Sequence, residues 1–182
     1  MPIKKETLNK NKNFYFIETG TFKGKTTRVA SDLGFNKVHT IELQDYLYVE
    51  SCNNLKDLID NNTVEIHKGD SGVILPKILK GIDKPCTILL DAHIDGGNYK
   101  NGVTPNIRKC PLYDELNSIR NHHIKNHTIL IDDVRILGKI THPWGKEVMI
   151  DKIIRMLKDI NEDYIITYDD GIEKNDVLIA KI

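Results

Sequence analysis

The chain has 182 residues, 40% hydrophobic and 29% charged, which is ordinary for a globular fold and long enough for a substantial core. Lysine plus arginine and aspartate plus glutamate both number 26, so the formal net charge is zero. A neutral chain lacks the general attraction that nucleic-acid binders use, and nucleic acid is not favoured as a partner. Cys52, Cys86 and Cys110 are an odd set without framework spacing. With no signal peptide or long apolar run, they read as reduced thiols in a cytoplasmic protein with no membrane association.

Residues 1–13 are polar and lysine-rich and are expected to be a frayed lead-in, while residues 14–182 show no linker or repeat and read as one domain. Phe14 to Glu18 is an apolar strand closed by an acid, and Thr19-Gly20-Thr21-Phe22-Lys23-Gly24 turns directly into a helix over Lys25 to Leu33. Glycines in such a turn let the backbone come close to a ligand, since a Cβ would occupy its space. Lys37 to Glu42 is a second strand ending in acid, and Glu42 stands 18 positions after Gly24, where α/β folds place a ribose-binding carboxylate. Tyr46 to Ile59 carries a helical apolar pattern, Val64 to His67 is a short strand, and Asp70-Ser71 precedes a short helix over Val73 to Leu79. Thr87 to Asp91 is an apolar central strand.

The least regular stretch, His93 to Pro111, follows; a loop of this length inside a compact domain is usually functional or disordered. Leu112 to Ile124 and Val148 to Ile160 read as helices around a fifth strand, Thr128 to Asp132. Tyr164 to Tyr168 and Val177 to Ala180 form a closing antiparallel hairpin. The predicted fold is α/β: a Rossmann-like, doubly wound, seven-stranded sheet, mostly parallel with a C-terminal antiparallel hairpin. Its parallel strands all carry their acids to one edge, where Glu18, Glu42, Asp91, Asp132 and Asp133 would repel one another without a cation.

The E-x-G-x-x-x-G pattern of Glu18, Gly20 and Gly24 resembles the first motif of class I S-adenosylmethionine-dependent methyltransferases. The resemblance implies that Glu18, Thr19, Gly20, Gly24 and Thr26 form the cofactor turn, that Glu42 holds the ribose, and that Asp70 and Ser71 meet the adenine edge. Leu90-Asp91-Ala92-His93 followed by Ile131-Asp132-Asp133 resembles, more narrowly, the metal-dependent O-methyltransferases of the catechol and the macrolide-sugar or cephalosporin-related groups. That resemblance implies Mg²⁺ or Mn²⁺ held by Asp91, Asp132 and Asp133, with Asp91 also beside the cofactor. The catechol type has a lysine base shortly after its first metal aspartate. Here Asp95 stands in that region and the nearest candidate base is His93, with Lys100 or Arg135 available to neutralise charge.

The polar loop residues Asp95, Asn98, Tyr99, Lys100 and Asn101 suit a sugar or other small polyol, or a glycan, better than a flat ring. A second copy of the chain is a further candidate for completing the acceptor pocket. Trp144 is read either as a wall of that pocket or as a core aromatic. His122, His123 and His127 beside Cys110 fit no closed zinc site. Two rival functions stand beside this one. A nicotinamide-dependent oxidoreductase or epimerase is opposed by the missing third glycine, and a non-catalytic cofactor binder would use the same crevice without turnover.

Overall fold

A computed structural model describes residues 3–93, 110–142 and 144–182 of the chain. Seven strands form one sheet: β1 (Tyr15–Thr19), β2 (Lys37–Glu42), β3 (Val64–Lys68), β4 (Cys86–Leu90), β5 (Thr128–Ile131), β6 (Ile165–Asp169) and β7 (Val177–Lys181). Their spatial order is β3-β2-β1-β4-β5-β7-β6. The first five run parallel, with β1 between β2 and β4, and β7 enters antiparallel between β5 and β6. The reversal of strand order between β1 and β4 leaves a crevice at their carboxyl ends, where open α/β sheets bind ligands.

The period of two along each strand divides the core. Ile17, Ile88, Leu90, Ile129 and Ile131 face a layer made by α5 (Ser71–Leu79), α6 (Leu112–Asn121) and α7 (Ile150–Ile160). Phe16, Val38, Leu89 and Leu130 face the opposite layer, which contains α1 (Lys5–Lys10), α2 (Lys25–Asp32), α3 (Asp45–Asn54) and α4 (Lys56–Asp60). Among the described residues, no helix is long and apolar enough to cross a membrane.

The elements depart from expectation in three places. Residues 3–13 are not frayed: Ile3, just before α1, and Leu8 within it are completely buried, and Thr7 Oγ1 donates to Asp169 Oδ2 at 2.6 Å. Asn13 extends the anchoring, its Nδ2 donating to the Cys86 carbonyl and to Thr128 Oγ1. The helix expected over 46–59 is two helices, because Leu55 leaves helical geometry at φ −112° and ψ 14° while its side chain turns inward. The helix expected to reach Ile124 stops at Asn121, where His122 is extended.

Candidate active site

The turn after β1 is held by its neighbours rather than left open. Gly20 and Thr21 donate to the Ile41 carbonyl at 3.0 and 3.1 Å, and Phe22 N donates to Glu42 Oε2 at 2.8 Å. Gly20 and Gly24 have φ of +85° and +78°, a region in which L side chains are strained. The space their missing Cβ atoms would fill belongs to the protein. At Gly20 a Cβ would lie 2.7 Å from the Asp91 carbonyl oxygen, and at Gly24 2.6 Å from Leu55 Cδ1. Both glycines thus let protein pack against the turn: Asp91, just after β4, at Gly20, and Leu55, between α3 and α4, at Gly24.

Glu18 is buried, and its Oε2 accepts from Thr27 Oγ1 at 2.5 Å and Thr40 Oγ1 at 2.8 Å. Burial raises its carboxyl to about 7 despite these bonds, with Thr26 adding a weaker one. Thr40 also shares a 2.6 Å hydroxyl contact with Thr21, so Glu18 braces the turn from beneath. Glu42 is similarly committed: Oε2 serves Phe22 N and Oε1 accepts Gln44 N at 2.8 Å. The Leu43 amide adds a third backbone bond to this carboxylate. Burial, its largest influence, moves the Glu42 carboxyl upward.

Asp70 caps α5, accepting from Gly72 N at 2.8 Å, which is ordinary N-cap chemistry. Ser71 donates to Glu115 Oε1 at 2.5 Å. Glu115 was not anticipated from the sequence, although it interrupts the apolar stripe Leu112, Leu116 and Ile119 at the inward i+3 position. It is buried, its carboxyl is pushed up to about 7 by desolvation, and its Oε2 has no hydrogen-bond partner among the described residues.

A small cleft opens between the ends of β4 and β5. Its walls include Asp91, His93, Glu115, Asp132 and Trp144. Thr19 positions Asp91: the Asp91 amide donates to both the Thr19 carbonyl and its Oγ1, at 3.2 Å each. Burial, followed by repulsion from Asp132, carries the Asp91 carboxyl well above its ordinary value. Asp132 rises to about 6 through burial; its Oδ1 accepts the Asp133 amide, and its buried Oδ2 has no partner among the described residues.

Asp133 adopts a left-handed backbone, φ 59°, which swings its carboxylate toward cations. His93 Nε2 lies 2.6 Å from Asp133 Oδ2 and 3.6 Å from Asp91 Oδ1, and Arg135 pairs with both Asp133 and Asp176. Burial would raise the Asp133 carboxyl, but the bonds and charges of His93 and Arg135 outweigh it and hold it below the ordinary value. Trp144 is buried and stacks on His93, with centroids 4.8 Å apart and planes 27° apart, so it belongs to both the core and the cleft wall.

The predicted metal trio is divided. Asp91, His93 and Asp133 bring ligand atoms within 4.8 Å of one another, and Asp132, Asp133 and Asp176 form a second such group. Asp95, Asn98, Tyr99, Lys100 and Asn101 lie outside the described residues. All three cysteines are free, and burial lifts Cys86 and Cys110 to about 12. His122 and His127 form a mutual 2.9 Å contact, and His127 Nδ1 accepts from Cys86 N, a structural arrangement away from any closed zinc site.

No family model matches the chain, and no curated protein matches its sequence. Solved structures do match. A protein from Clostridium thermocellum assigned as an rRNA methylase aligns over 100% of both chains at a TM-score of 0.66 and 18% identity. One from Staphylococcus aureus assigned as a caffeoyl-CoA O-methyltransferase aligns over 98% of this chain and 80% of its own, at 0.60 and 16%. A third, assigned as a methyltransferase, from Streptococcus mutans with S-adenosylhomocysteine bound, aligns over 98% of this chain and 95% of its own, at 0.59 and 16%. The fold is that of the class I methyltransferases. At these identities the likeness reaches no further than fold.

Proposed function

We propose that the chain is an S-adenosylmethionine-dependent methyltransferase acting on a hydroxyl of a sugar or other small polyol, with assistance from a divalent ion. One observation carries the reading. In the methyltransferase strand order, the braced turn after β1 and the acids closing β1, β2 and β4 share one sheet edge, beside a cleft with titratable walls. S-adenosylmethionine, when bound, supplies a methyl group on a cationic sulfur; the protein's work is then positioning and charge.

The residues divide that work. Glu18 and Glu42 hold the turn rigid, and Glu42, closing β2 beside the turn, is the carboxylate assigned to the ribose hydroxyls. Leu90, Leu112, Ile131, Leu137 and Trp144 line the cleft with apolar surface that excludes water. The raised Asp91 carboxyl is a stronger proton acceptor than an ordinary aspartate, and His93 beside it completes the candidate acid–base pair. The metal sits less comfortably than expected, because His93 and Arg135 already balance Asp133. The unpartnered Asp132 Oδ2 and the clustered atoms of Asp91, His93 and Asp133 nevertheless fit a cation. Two carboxylates and an imidazole suit Mn²⁺ better than Mg²⁺, and an ion there supplies a Lewis acid for the acceptor hydroxyl.

Calorimetric titration with S-adenosylmethionine and S-adenosylhomocysteine, beside NAD and with or without Mn²⁺, is the test. Binding of both sulfur ligands and methyl transfer to a polyol are expected, with Asp91→Asn lowering kcat by roughly 10²- to 10⁴-fold. Binding of NAD alone would return the turn to a dinucleotide role, and cofactor binding without turnover on any acceptor would make the protein a binding module. The neighbour assigned as an rRNA methylase raises RNA as a second acceptor class, which the balanced charge of this chain opposes.

A further inference from the structure

Away from the cleft, β2 and β3 bring three metal-binding side chains onto one face of the sheet. His39 is the register partner of Glu65, and His67 follows Glu65 by two residues on the same strand, so the period of two points all three the same way. His39 Nδ1 and His67 Nε2 are 3.1 Å apart, while Glu65 approaches them at 3.8 and 3.7 Å. The imidazole rings stack at 5.4 Å with planes 29° apart.

We propose that His39, Glu65 and His67 form a divalent-metal site for a borderline cation such as Zn²⁺, separate from the cleft, that ties the edge strand β3 to β2. The distances are close to what such an ion needs. Nitrogens ligating tetrahedral zinc at about 2.0–2.1 Å sit about 3.3 Å apart, near the separation found between these two. Glu65 must move a few tenths of an ångström inward, and its half-exposed side chain is free to do so. A histidine ligates zinc through a neutral ring nitrogen, the ordinary state of imidazole above about pH 6.5. Three protein ligands leave a fourth position for water.

Lys37 is the local opponent, 4.0 Å from Glu65, but its Nζ is held by the backbone and side-chain oxygens of Asn62 at 2.8 and 2.6 Å. The competing account is that one imidazole simply donates an N–H to the other. The two accounts differ in what zinc does.

A zinc titration against a chromophoric chelator, with the full chain, decides between them. With the cleft cluster disabled by Asp133→Asn, one equivalent of zinc is expected to remain, and adding His67→Gln to that variant is expected to remove it. The loss in affinity should be at least roughly 100-fold, the upper end of what removing even an outer-sphere partner costs. Co²⁺ should give a visible absorption band that disappears in the same variant. Zinc binding that is abolished by Asp133→Asn, or unchanged when His67→Gln is added to it, overturns the proposal. Should the histidine variants fail to fold, the half-exposed Glu65→Gln, in the same Asp133→Asn background, decides alone: weakened zinc binding supports the site and unchanged binding refutes it.

Discussion

Glu115 sits where ionisation is opposed, and that has a pH signature. Its carboxyl titrates near 7 in the fold against an ordinary 4.5, because burial disfavours the charged form. Folding therefore favours the protonated state. The stability this residue contributes is complete below pH 4.5 and is lost as pH rises through 7. Gln stays neutral throughout and its amide oxygen can still accept from Ser71. Glu115→Gln should thus match the wild type near pH 4.5 and exceed it above pH 7 by about 3 kcal/mol at most, at 1.36 kcal/mol per unit. Urea unfolding of both proteins at pH 5 and pH 8 is the measurement, and a difference independent of pH would remove burial as the cause. Gly20 gives a second residue-level outcome. Gly20→Ala meets both a left-handed φ and the Asp91 carbonyl, so it should cost about 1–3 kcal/mol. Gly81→Ala is the control: a Cβ there meets nothing nearer than 3.6 Å, and that change should be neutral or mildly stabilising.

At the scale of elements, α1 offers the clearest test. Leu8 is fully buried against the sheet layer, so Leu8→Ala should cost about 2–5 kcal/mol, whereas a frayed lead-in would show almost nothing in a denaturant melt. The helix escaped sequence reading because Leu8 is its one apolar residue in a lysine-rich stretch, and its anchors include polar bonds to distant residues. The parallel strands were legible for the opposite reason: β4 and β5 are buried on both faces and read as unbroken apolar runs closed by acids. The acids were legible as a group at one edge, but not their partners. The left-handed Asp133, which sends its carboxylate to His93 and Arg135, breaks the expected trio, and no local pattern announces that φ. Glu115 left a trace as an acid within an apolar stripe. The His39, Glu65 and His67 group left none, because it exists only through strand register.

For the whole molecule, charge balance bears on the proposed choice of a small acceptor over a polymer. With 26 positive and 26 negative side chains, the chain has no net charge to draw in a polyanion. Its cleft carries acids at Asp91, Asp132 and Asp133, compensated locally by His93 and Arg135, so phosphates approaching that edge meet carboxylates first. A protein neutralising several phosphates shows a steep fall of binding with salt, losing roughly 10³- to 10⁵-fold between 50 and 200 mM for 6–10 contacts. Here a fluorescent RNA hairpin should bind more weakly than about 10⁻⁴ M at physiological salt, beyond the usual non-specific range. Binding of S-adenosylhomocysteine should change little over the same salt interval. Tight RNA binding with a steep salt slope would require a basic surface able to overcome the acidic edge, and would replace the proposed polyol acceptor with nucleic acid without touching the proposed cofactor role of the turn.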